Sequence, residues 1–256
     1  YMYQNPKRAK KLYKEIVPKA VDEYLDFIEK AKIQDEQKLL INPVWHVHNG
    51  SIPQENLIMS FSMLLNLVET SNAENKELAD TPYLKGMWAY VMGSAHAAMG
   101  HIGPAEAELA IIREQISAEG VNDSGVGPTP ADHVLSLAMH ALLGEIEQAK
   151  GNLDGAILHF GHAVEFQDNL NYTEPPDWSH SIRLYLGAAL LEAGQAAEAE
   201  RVYRKDLEWN QRNGWTTFGL YQALDAQGKD QEAIIVNRQF EELWRNADVE
   251  LERSRL

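Results

Sequence analysis

The sequence predicts an all-α fold: an α-solenoid of helical hairpins preceded by an irregular helical N-terminal cap. Three observations lead there. Strand signals are nearly absent, and Ala, Leu, Glu and Gln, all strong helix formers, dominate the second half. A fixed internal spacing recurs: Gly187, Gly194, Ala199 and Tyr203 are matched by Gly144, Gly151, Ala156 and Phe160, and by Gly93, Gly100, Ala105 and Leu109. In each set the first glycine precedes the alanine by 12 residues, and the large residue follows four later. Self-similarity of this kind marks a repeat architecture. The surplus residues between copies are turn formers, in SAEGVNDSGVGPTPAD (117–132) and NLNYTEPPDW (169–178).

The elements follow in order. Residues 1–80 form the expected cap or extension. Leu12, Ile16, Ala20, Tyr24 and Ile28 make an amphipathic stripe interrupted by Pro18, and 56–70 reads as a helix apolar nearly all round. Residues 81–256 hold the repeats, at about 82–116, 130–168, 178–210 and 213–246, with a C-terminal tail. The fourth copy, with Phe218-Gly219, Gly228 and Ala233, is two residues longer before its alanine. The second glycine of each set is expected at the hairpin turn, where a left-handed backbone ends the first helix. The first glycine is expected to let the two helices touch backbone to backbone, and the alanine to admit the second helix closely. The aromatic or Leu after it fills the gap to the next hairpin.

This spacing is the tetratricopeptide repeat pattern. From about Pro82 onward the chain resembles a tetratricopeptide family of bacterial type, most specifically in EPPDW (174–178), LGAALLEAG (186–194), AEAERVYRKDLEWNQRNGW (197–215) and the tail WRNADVELERSRL (244–256). The family carries Tyr and Pro after the Trp, where this chain has Ser179-His180-Ser181. The resemblance implies the fold and no reaction.

Composition narrows the function. The formal net charge is −15, which repels phosphate backbones and argues for no nucleic-acid partner. A basic cluster, Lys7, Arg8, Lys10, Lys11, Lys14 and Lys19, reads either as a solvated helix face or as a contact for an anionic partner or membrane surface. There is no cysteine, so thiolate chemistry and Cys-ligated zinc are excluded, and no apolar run is long enough to span a bilayer. The compartment cannot be read from these residues, with the cytoplasm the default expectation.

Candidate site residues fall in two places. The first helix of each hairpin lines the concave groove, which places Met87, Tyr90, Ser94, Ala97, Ala141, Glu145, Gln148, Ser181, Leu184, Ala188, Thr216 and Leu220 there. The Pro-stiffened turn 172–183 presents Glu174, Asp177, Trp178, His180 and Arg183, with Trp215 opening the next hairpin. Aromatic and Arg side chains on a rigid segment have the composition of a binding hot spot. The structural alternative is that Asp177 caps a helix, Trp178 fills the space left by the insertion and Arg183 pairs with Glu174. His159 and His162 share a helix face near Glu165, and His46 and His48 alternate in a loop. Neither pair reaches three metal ligands, so no metal or cofactor is expected. No phosphate loop, nucleophile elbow or HExxH motif occurs. The expected function is a non-catalytic scaffold binding a protein or peptide segment in the groove. The alternatives are an enzyme or small-ligand or metal-binding protein with a site between the 172–183 turn and the groove, and a self-assembling homo-oligomer.

Overall fold

Thr81 caps the first described helix by accepting a hydrogen bond from the Leu84 amide at 3.4 Å, with Pro82 in the first turn where its missing N–H costs nothing. The computed structural model of the chain describes residues 81–123, 128–173, 176–178, 180–247 and 250–255. The expected cap of residues 1–80 lies outside them. Eight α-helices follow: α1 (Pro82–Ala98), α2 (Ile102–Ile116), α3 (Ala131–Ala149), α4 (Leu153–Asp168), α5 (Arg183–Glu192), α6 (Ala196–Trp209), α7 (Gly214–Asp225) and α8 (Asp230–Trp244). A short 3-10 turn, Val121–Asp123, lies between α2 and α3. Among the described residues the fold is all-α, and none of the helices is long and apolar enough to cross a membrane.

Each helix packs on its chain neighbour, and α1 also packs on α3 and α5 on α7. The turns inside the four hairpins fall at the predicted glycines. Gly100, Gly151, Gly194 and Gly228 have φ of 73°, 77°, 73° and 69°, a region closed to most side chains. Asn152 and Asn213 cap α4 and α7 through the amides of Gly155 and Thr216. The third hairpin starts later than the expected residue 178: its first helix begins at Arg183, and its N-cap is Ile182, not Asp177.

In three of the four sets the first glycine faces an aromatic ring rather than making the expected backbone-to-backbone approach, and in the first set a Cβ on Gly93 would collide with Leu142. A Cβ on Gly144 would collide with the Phe160 ring, and one on Gly187 or on Gly219 would collide with the Tyr203 ring. Tyr203, fully buried on α6, is thus held between a glycine of its own hairpin and one of the next. The ring occupies the space that a side chain on the glycine would take, which leaves no void there.

The buried apolar side chains form two clusters. One runs from α1 to α5 around Ile112, Leu135, Leu142 and Phe160, and the other from α5 to α8 around Leu190, Tyr203, Leu224 and Ala233. Ala156 and Ala199 are fully buried where their helices meet the preceding one. Replacing either with Leu is expected to overpack that contact and lower stability by about 1–3 kcal/mol. Urea unfolding measures it, and an unmoved midpoint in both variants would mean the alanines tolerate bulk.

A polar cavity under the C-terminal tail

The 172–183 turn is a structural plug. Trp178 is 3% exposed, and its ring lies 5.1 Å from Tyr90 on α1 and 5.1 Å from His180. The turn therefore reaches back from the third hairpin to the first. Gln167 on α4 braces it from beneath, donating to the His180 carbonyl at 2.8 Å and accepting from the Ile182 amide at 2.9 Å. Arg183, for which Glu174 was the expected partner, pairs with Asp168 through two parallel bonds of 2.8 and 2.6 Å. Asp168 ends the helix on which the turn rests, and the bidentate geometry fixes both groups. Asp177 accepts from Thr173 inside the turn. Glu174 lies outside the described residues. Trp215 packs edge-on against Trp244 of α8 at 5.1 Å. Tyr90, expected on the groove, is buried under Trp178 at 6% exposure.

Of the expected groove residues, Met87, Tyr90, Ala141, Ser181, Leu184, Ala188, Thr216 and Leu220 are buried in the packing, and Ser94, Ala97, Glu145 and Gln148 border a cavity. These four line one cavity of about 250 Å³, together with Glu192 of α5 and with Arg253 and Arg255 of the tail. Ser94 and Glu145 come from matching turns of α1 and α3, which pack side by side. Gln148 donates to Glu192 at 2.6 Å, which joins α3 to α5 across the opening.

The tail closes the remaining side. Ser254, fully buried, shares a 2.7 Å hydrogen bond with the Tyr203 hydroxyl and donates to the Leu184 carbonyl at 2.9 Å. Gln222 on α7 donates to the Glu252 carbonyl at 2.9 Å. Arg255 is thereby held with its guanidinium 5.0 Å from the centre of the Tyr185 ring, a cation–π contact. Sequence reasoning missed Arg253, Arg255 and Glu192. The tail lies far along the chain from the groove, and repeat spacing carries no signal for it.

Burial drives the Glu145 carboxyl above its usual range, and the Arg255 charge and the Ser94 hydroxyl only partly offset this. Tyr90 and Tyr185, buried beside it, are raised as well, first by burial and then by the Glu145 charge.

A second polar cluster lies on the hairpin of α3 and α4. His140 joins the expected pair His159 and His162, with ring centres 5.5 and 5.1 Å away, and its Nδ1 is 3.3 Å from that of His159. Burial, then the charges of His159 and His162, pushes His140 down to about 4. Counting outward from the turn at Asn152 would have found it, since His140 and His162 sit at near-mirror positions. No three His, Cys, Asp or Glu side chains among the described residues are arranged to hold a metal ion.

Fold and site together define an all-helical array of hairpins with a tail-closed polar cavity. Comparison with known proteins adds a relationship of a different kind. The lysine–tRNA ligase of Roseobacter denitrificans is 50% identical over 76 residues, 30% of this chain and 14% of that protein. That of Rickettsia bellii is 35% identical over 106 residues, covering 41% and 19%, and that of Rickettsia rickettsii 41% over 80 residues, covering 30% and 15%. The chain thus spans less than a fifth of the length of these relatives. No known family profile matches it, and no solved structure does.

These matches overturn two expectations: that the chain is a non-catalytic peptide-binding scaffold, and that it has no nucleic-acid partner. The physical reason lies in the charge. Residues 81–256 hold 13 Lys and Arg against 26 Asp and Glu, a net −13, whereas residues 1–80 hold 10 against 12, a net −2. The total of −15 is a property of the hairpin array and conceals a first segment that is nearly neutral.

Proposed function

We propose that the chain is a tRNA-binding protein related to lysine–tRNA ligases and that its helical hairpins are of tetratricopeptide type. The observation that carries this reading is the 50% identity to a lysine–tRNA ligase over 76 residues. Charge supports a place for the contact. Residues 1–20 hold six Lys and Arg against Glu15 alone, whereas the array repels phosphate. The identical glycine-to-alanine spacings support the repeat assignment. A chain covering 14–19% of the ligases is not expected to charge tRNA by itself.

Binding of labelled lysine tRNA, measured by filter retention across a salt series, tests the reading. Affinity is expected to fall steeply with salt, because each neutralised phosphate releases counterions. Replacing Lys7, Lys10, Lys11 and Lys14 together by Ala is expected to weaken binding by about tenfold or more and to flatten the slope. No retention at low salt, or retention unaffected by the four changes, would defeat the proposal.

A further inference from the structure

We infer that residues 56–70 of this chain pack along the apolar side of α1 marked by Leu84, Trp88, Met92, Ala95 and Met99, taking on α1 the place that α2 takes on α3. No contact with tRNA enters into this assignment.

At 3.6 residues per turn, these five residues fall within a sector of about 80° on one side of α1. The far side carries Gly86 and Gly93, where Leu135 and Leu142 of α3 press so close that an added Cβ would collide with them. The next hairpin therefore covers one side of α1 and leaves the apolar stripe on the other. Leu84, Trp88 and Met92 are half-buried, Ala95 is buried and Met99 is 51% exposed. Among the described residues, Leu84, Met92 and Ala95 belong to neither buried cluster. The outer face of a terminal repeat is ordinarily polar, and this one is not.

The repeat register says what belongs on that stripe. Gly93 and Gly144 align, 51 residues apart, so Leu84 and Val91 stand where Leu135 and Leu142 stand in the next hairpin. In α3 those two positions meet the preceding hairpin, and α3, α5 and α7 each pack on the helix before them. α1 has apolar side chains at the same positions and no described helix before it. The chain itself supplies one. In NLIMSFSMLLNLVET (56–70) nine of fifteen residues are apolar and Glu69 carries the only charge, so the segment needs cover. As a helix it would be about 22 Å long, close to the length of α1 at about 25 Å. Residues 71–80, mostly polar, reach about 33 Å when extended, which is enough for the chain to reverse and lie alongside α1. Attachment through so short a connection gives this segment a higher effective concentration at the stripe than a separate partner has.

The chain has no cysteine, so a disulfide between two introduced ones reports their contact without background. In the whole chain, Met92→Cys is combined with one Cys at a time at positions 57–68, oxidised, and read by mobility on a non-reducing gel. Disulfides within the chain are expected at positions recurring every three to four residues. They are expected to form about tenfold or more faster than when Ile234→Cys, exposed on α8, replaces Met92→Cys. Met99→Cys repeats the scan at the exposed end of the stripe, where the substitution leaves the buried packing alone. Hydrogen exchange gives a second reading: Met92→Glu is expected to speed amide exchange in 57–68 and to leave α5 to α8 as they are. If Met92→Glu disturbs the whole array, the Met99→Cys scan decides. Disulfides no faster than those with Ile234→Cys in both scans, or exchange in 57–68 that Met92→Glu leaves unmoved, would overturn the assignment. Disulfides formed only between chains would overturn it too, and would show that a second copy covers the stripe.

Discussion

Replacing Tyr203 by Ala is expected to lower stability by about 3–5 kcal/mol, the range for removing a large buried aromatic side chain. The ring has no exposed surface and lies between Gly187 and Gly219. Neither glycine has a side chain that can move into the space, so the cavity cannot collapse from either side. The hydroxyl adds a second loss, because it bonds Ser254 and so holds the tail. Tyr203→Phe separates the two contributions. It keeps the ring and is expected to cost about 0.5–1.5 kcal/mol, the net worth of one hydrogen bond. Urea unfolding of both variants measures the difference. Equal losses in the two would mean that the ring contributes nothing beyond its hydroxyl.

The second large effect is expected at Asp206. Its carboxylate has no exposed surface and accepts from the Ser181 hydroxyl at 2.5 Å, the Thr216 hydroxyl at 2.5 Å and the Asn210 amide at 2.9 Å. Ser181 lies just before α5, Asp206 on α6 and Thr216 on α7, so one side chain ties three consecutive helices. Asp206→Ala leaves two buried hydroxyls without the acceptor of their protons and is expected to cost roughly 2–5 kcal/mol. Asp206→Asn keeps one acceptor oxygen and is expected to recover part of that loss. A melting temperature unchanged in Asp206→Ala would mean that water replaces the carboxylate.

Much of the fold could be read from the residues because its rules are local. A glycine at each hairpin turn, an alanine five residues on and a large residue four beyond that are all set within one hairpin. The groove positions of Glu145 and Gln148 followed from the same register. What escaped were contacts between residues far apart in the chain. Trp178 meets Tyr90 across 88 positions, which turned an expected binding surface into packing. Arg255 reaches the cavity only because Ser254 is pinned 70 residues from Leu184. Neither separation leaves a periodic trace. The bond from Arg183 to Asp168 joins residues 15 apart on either side of the turn, a pairing that the local sequence does not announce. The expectation of no nucleic-acid partner rested on a total charge, which averages an acidic segment 81–256 with a nearly neutral segment 1–80.

The tail has a consequence for how the array comes apart. A row of hairpins touching only their neighbours can open from its end, one unit at a time, because little is lost with each step. Here α8 is tethered at both ends, by the Gly228 turn on one side and on the other by the bonds of Ser254 to Tyr203 and Leu184 and of Gln222 to the tail. Fraying of α8 alone releases little chain entropy while those bonds hold, and breaking them disturbs α5, α6 and α7 at once. The third and fourth hairpins consequently form one cooperative opening unit, with amide hydrogens across α5 to α8 exchanging through a shared event rather than in a gradient from the end.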